Sequence, residues 1–264
     1  MGSRRHDYHV HSDYSDGTDA ATMIETVERL GLDGIGFADH VLISHPAKRE
    51  RHGYPMDVSA IPDRRDELAR LRDATDVRVF EAVEIDYYPF AEEAIATFLA
   101  DHQFEYVIGS VHELGRHHPD EPAPSVHHSD ERCFEGMAAS DRQAVVDRYF
   151  DRVVRLIESD LVDVIAHLDL IERNAALRGL ATDEHYHAVA AALADSDAIP
   201  EINGASVTDD WPVLPRRRFF EVLREYDVAL VRGSDAHGTA SLETRTERID
   251  RWAGRHDVSF RTIV

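Results

Sequence analysis

His9, His11, His40, Glu84, His112, His167, Asp235 and His237 each close a short apolar run, and a residue of this kind recurs along almost the whole chain. Imidazole nitrogens and carboxylate oxygens are the ligands that transition metals take from proteins, and strand ends are where a β/α barrel presents its chemistry. Eight such residues at equivalent positions predict a multinuclear metal site at one mouth of such a barrel.

The spacing inside the motifs sharpens this. In His9-Val10-His11 the two imidazoles are two residues apart, so on a strand they point to the same side and can grip one ion. An isolated pair of this type is equally compatible with two histidines satisfied at a sheet edge. Asp235-Ala236-His237 repeats the geometry on the last strand-like run, which in a closed barrel lies beside the first. Glu84 has two oxygens and can bridge two cations, as an imidazole cannot. His112 and His167 end hydrophobic runs, where an unpaired polar ring is costly.

The elements that must position these residues alternate. The first strand ends at His11, and a turn (SDYSDGTD) leads to a helix with Met23, Ile24, Val27 and Leu30 on one face and Gly31 as its stop. Strands follow at 34–40, 77–86, 106–112, 162–168, 199–204 and 229–237. Helices are expected around 60–72, from Pro89 to about Leu99, and over 141–159, 183–194, 214–226 and 241–253. Residues 113–139, rich in His, Pro, Asp and Glu, read as a substrate-side insertion loop, since a long irregular stretch after a barrel strand is commonly functional. No repeat and no interdomain linker is visible, which predicts one domain, residues 1–264, of about seven β/α units.

Composition bounds the function. The 264 residues suffice for one barrel, 43% of them are apolar, and the formal charge is −22. No apolar stretch approaches ~18 residues, so no membrane span is expected, and the absence of a signal pattern predicts a cytoplasmic protein. The lone Cys133 offers neither an internal disulfide nor a thiolate cluster. Of 29 basic residues only Lys48 is lysine. An acid-rich, lysine-poor surface of this kind is expected of a halophile's protein, because at ~1 M salt the Debye length falls to ~3 Å and self-repulsion is muted. The field disfavours nucleic acid, and an anionic substrate would need positive charge supplied locally by cations.

Taken together, HVHSDYSDG, FADH, EAVEID, YVIGSVH, VIAHLDL and GSDAH resemble, in order, the motifs of the polymerase-and-histidinol-phosphatase (PHP) superfamily, in its histidinol-phosphatase-like branch. The resemblance runs from His9 to His237. It implies an α/β fold, a distorted (β/α)7 TIM-like barrel with two or three divalent ions (zinc, manganese or iron) at the C-terminal ends of the strands. Carried over, His9, His11, Glu84 and Asp235 would bind a first metal. Glu84 would bridge to a second held by His112 and His167, and Asp16, His40 and His237 would hold a third. Asp16 also suits an Asx-type turn before Gly17. Asp39 and Asp169 are expected behind the ligands rather than among them.

The implied activity is hydrolysis of a phosphomonoester by a metal-bridging hydroxide, with Glu84 and Asp235 as catalytic residues and L-histidinol phosphate as the first substrate to consider. The leaving oxygen would be protonated by water or by Asp235. Arg173, past HLDLIE, and Arg116, past VHELG, are candidates for the phosphate, since a guanidinium matches two phosphate oxygens. His45, His52, His117, His118, His127 and His128 fall in polar loops, as surface or lid residues. The partner is then a small phosphorylated molecule, and the chain a monomer or homo-oligomer. An amidohydrolase barrel also opens with HxH but bridges its metals with a carboxylated strand lysine, and Lys48 lies in a polar loop. EINGASVTDDWP departs from the family's N-T-A-G-like segment, with Gly204 replacing Thr and Asp209 and Asp210 where a basic residue is usual. Two other readings stay open: a nucleotide or oligonucleotide phosphoesterase of the same fold, and a non-catalytic metal-binding regulatory barrel.

Overall fold

Parallel pairing runs unbroken through seven strands in the computed structural model, which describes residues 5–43, 54–114, 125–126, 133–134, 136–205 and 210–264. The strands are β1 (His6–Val10), β2 (Gly34–Val41), β3 (Arg78–Asp86), β4 (Tyr106–Ser110), β5 (Val164–Ile165), β6 (Ile199–Asn203) and β7 (Val231–Gly233), neighbours in space in the same order. The first and last come together: Val10 bridges Ala236 in parallel, His11 N donates to Ala236 O at 2.9 Å and Asp235 N to His9 O at 2.7 Å. The sheet is thereby closed into a barrel.

Helices stand between the strands: α1 (Ala20–Leu30), α2 (Ile61–Asp73), α3 (Glu92–His102), α4 (Ala139–Glu158), α5 (Asp183–Ala194), α6 (Arg217–Glu225) and α7 (Thr239–His256). Local chemistry sets their ends. Asp19 caps α1 by accepting from Thr22 N, and Gly31 ends it at φ 64°, a left-handed conformation that costs glycine little. Pro89 opens a 3-10 turn (Pro89–Ala91) ahead of α3.

Every strand contributes to one buried cluster, comprising Tyr8, Ala38, Phe80, Ala82, Tyr106, Ile108, Val164, Ile199 and Val231, with Ala166 just past β5. This fills the barrel with side chains, as closure of so few strands requires. Outside it, Met23, Ile24 and Val27 of α1 pack with Leu68 of α2 and Leu242 of α7. No helix among the described residues is long and apolar enough to cross a membrane.

The strands are shorter than the apolar runs suggest. β4 stops at Ser110, β5 holds two residues and β7 three. His11, His112, His167, Asp235 and His237 therefore lie just beyond the named strands, at the rim of the barrel. His167 and Asp235 adopt φ of 23° and 56°, a region that ordinary side chains occupy only when surroundings enforce it.

A histidine and carboxylate centre at the barrel mouth

Glu84 sits at the middle of the mouth. It lies near the end of β3, with His40 of β2 as its register partner, and it is 1% exposed. Its two oxygens face different histidines. Oε2 lies 2.7 Å from His40 Nδ1, 3.4 Å from His9 Nε2 and 3.6 Å from His11 Nε2. Oε1 lies 3.3 Å from His167 Nε2 and 3.6 Å from His112 Nε2, and also accepts from Ser110 Oγ.

Three sets of ligand atoms converge, each within 4.8 Å: His9, His11 and Asp235; His40, Glu84 and His112; and His11, Asp16, His40 and His237. His167 joins through Nε2, 3.2 Å from His112 Nε2. All nine residues expected to bind metal thus fall in one connected cluster. The partition differs from the expected one, for His11 stands between two sets and His40 between two. His237 Nε2 is 3.3 Å from Asp16 Oδ1, and its ring stacks on His11 at 4.0 Å between centroids.

The donor chemistry fits divalent cations. His9 Nδ1 pairs with Glu201 Oε2 at 2.9 Å, which turns Nε2 inward to 3.1 Å from His11 Nε2. His112 does the same, with Nδ1 on Asp86 Oδ1 and Nε2 turned towards His167 Nε2. Ring nitrogens and carboxylate oxygens gathered this closely form a set of ligands that suits zinc, manganese or iron.

The electrostatics agree. Burial alone would raise the carboxyls of Glu84 and Asp235, but the surrounding histidines, with Arg245 beside Asp235, hold both well below the usual range. Burial, reinforced by the charges of His40 and His237, pushes His11 down to about 3. His40 is buried too, yet Glu84, aided by Asp16 and Asp86, raises it to about 9.

Behind the ligands is a second layer. Asp39 accepts from Ser12 N and Ser12 Oγ at 2.7 Å and from Ser15 Oγ at 2.7 Å, pinning the turn that carries Asp16. Asp169 accepts from Arg216 N at 2.7 Å, and burial pushes its carboxyl up to about 7. Sequence reasoning overlooked Glu201, Asp86 and Arg64. Each reads as an ordinary charged residue in an element, although Glu201 in the apolar run IPEIN and Asp86 two residues after Glu84 offered a signal of spacing.

Arg173, in the 3-10 turn Leu170–Arg173 after β5, carries a charge that Asp235 and Arg245 both feel, and burial lowers its pKa. Its Nε is buried without an acceptor among the described residues. Arg116, Lys48 and the histidines at 45, 52, 117, 118, 127 and 128 lie outside the described residues, as does most of 113–139. Gly204 has a physical reason: a Cβ there would come within 2.7 Å of Arg245 Cβ. Arg245 Nη1 in turn donates to the carbonyls of Ser234 and Asp235, bracing the left-handed Asp235.

A parallel β/α barrel with a histidine and carboxylate centre at its mouth is the class that fold and site define. Residues 7–205 match the PHP domain, and the chain belongs to that family. It is 32% identical over 145 residues to a "Probable histidinol-phosphatase" of Deinococcus radiodurans, a match covering 53% of this chain and half the length of that relative. Two solved structures share the fold. The hisK protein of Listeria monocytogenes superposes with a TM-score of 0.74 at 19% identity, over 90% of this chain and 97% of that one. The histidinol phosphate phosphatase of Lactococcus lactis, complexed with zinc, L-histidinol and phosphate, gives 0.72 at 18% identity, over 94% and 93%.

Proposed function

We propose that this chain is a metal-dependent phosphomonoesterase that binds two or three divalent ions through His9, His11, Asp16, His40, Glu84, His112, His167, Asp235 and His237. The observation that carries the reading is the split of Glu84, one oxygen towards His9, His11 and His40 and the other towards His112 and His167. A carboxylate so placed would offer one oxygen to a cation on each side. Bound cations supply Lewis acidity: they neutralise phosphoryl oxygens and bring the pKa of water from ~15.7 towards ~7. The chain's own residues do the rest. Arg173, with its unsatisfied Nε, clamps a phosphate oxygen. Asp235, held ionised, is a poor proton donor, so the leaving oxygen draws its proton from water.

L-Histidinol phosphate is the preferred substrate, supported by the relatives that carry that activity in their names. The −22 charge argues against a nucleic-acid substrate and suits a small anion whose charge cations offset. The test is a hydrolysis screen over histidinol phosphate, sugar phosphates and nucleotides, with zinc, manganese or iron, in high salt to mute self-repulsion. Turnover of histidinol phosphate at a kcat/KM at least tenfold above the others is expected. Equal rates on nucleotides would overturn the substrate assignment, and no hydrolysis of any ester would favour a non-catalytic barrel.

A further inference from the structure

Glu201 of β6 is wholly buried, and three donors converge on it. Oε2 accepts from His9 Nδ1 at 2.9 Å, while Oε1 accepts from the His167 backbone N–H at 3.0 Å and from Asn203 Nδ2 at 2.7 Å. The same Asn203 amide reaches Asp235 Oδ2 at 3.4 Å. Room for the carboxylate comes from β7, where a Cβ on Gly233 would meet Oε2 at 2.0 Å.

Every partner of this side chain donates. Two carboxylate oxygens satisfy all three donors, whereas an amide has one oxygen and brings a donor of its own. The consequence for His9 is a choice of tautomer. With Nδ1–H held by Glu201, Nε2 is the nitrogen left to ligate, the atom 3.4 Å from Glu84 Oε2 and 3.1 Å from His11 Nε2.

We propose that Glu201 is the positioning residue of the centre: it fixes His9 as the Nδ1–H tautomer and ties His167 and, through Asn203, Asp235 into the same frame. The proposal rests on the reading of His9 as a metal ligand. Glu201→Gln isolates the effect. If the Gln oxygen serves His167 and Asn203, its NH2 faces His9 Nδ1. His9 must then accept there and carry its proton on Nε2, the form that cannot ligate through Nε2. If the amide flips, its NH2 opposes two donors and two hydrogen bonds are lost, so the first arrangement is favoured.

The experiment has two readouts, neither of them activity. Zinc affinity is measured by chelator competition on wild type and Glu201→Gln, with melting of the metal-free proteins as the control for folding. In zinc-loaded protein with 15N-labelled histidine, the His9 ring protons are assigned by their loss in His9→Gln. A ~10–100-fold weaker zinc affinity is expected in Glu201→Gln, the range for such outer partners of a ligand, with an unshifted metal-free melt and a His9 Nδ1–H signal confined to wild type. Unchanged affinity in the variant would overturn the proposal while leaving the metal reading intact; wild type that binds no zinc would overturn both. Should Glu201→Gln not fold, the wild-type spectrum decides alone, because a His9 proton on Nε2 contradicts the assignment.

Discussion

Arg64 Nε donates to Asp39 Oδ2 at 2.7 Å, and both side chains are wholly buried. The guanidinium also donates from Nη2 to Phe37 O at 2.8 Å and Ala82 O at 3.0 Å, so α2 clamps β2 to β3 just below the mouth. Through Asp39 the same arginine braces Ser12 and Ser15, and with them the turn that carries Asp16. Arg64→Met leaves a buried carboxylate without its cation, and breaking a buried pair in this way costs about 3–5 kcal/mol. Urea unfolding of the metal-free protein reads this directly. A loss below about 1 kcal/mol would show that Asp39 is satisfied by the serines alone.

Proton release should accompany metal binding. His40 is raised to about 9, so at pH 7 it carries a proton in the metal-free protein. A ligand must give up that proton, so zinc affinity should rise as the pH is raised from 7 towards about 9. Calorimetric titration at pH 7 in buffers of different ionisation enthalpy should show proton release. Heats independent of buffer would contradict the protonation state assigned to His40.

Arg173→Met should separate phosphate recognition from metal binding. The side chain stands beside Asp235 and Arg245 with an unsatisfied Nε. Charge-assisted hydrogen bonds are worth ~1.5–3 kcal/mol, so kcat/KM for a phosphomonoester should fall about 10–150-fold. Metal content should stay at the wild-type value. Unchanged kcat/KM would place the phosphate elsewhere.

The fold was legible because strand-forming and helix-forming periodicities alternate along the chain on both sides of the irregular stretch 113–139, and the seven-strand order follows chain order. The cluster was legible because His and carboxylate residues are unusual at the ends of apolar runs. Strand lengths were not, since β5 and β7 owe their brevity to the inward turns at His167 and Asp235, which are set by tertiary contacts such as Asp235 N to His9 O. The supporting residues were the least visible. Arg64 lies on a helix on which Arg70 and Arg72 are exposed, and only the folded barrel buries it against Asp39. Glu201 looks like any strand glutamate until His9, 192 positions away in sequence, is placed beside it.

The central claim is that Glu84 joins two cation sites, and bound zinc per chain, measured by elemental analysis on wild type and Glu84→Ala alongside phosphomonoester hydrolysis, tests it most directly. Wild type should hold two or three ions, and the variant should lose at least one of them together with ~10³-fold or more of kcat, the scale on which removal of a charge-stabilising group acts in an enzyme. A variant that retains the full complement of zinc and hydrolyses the ester at the wild-type rate would contradict the account.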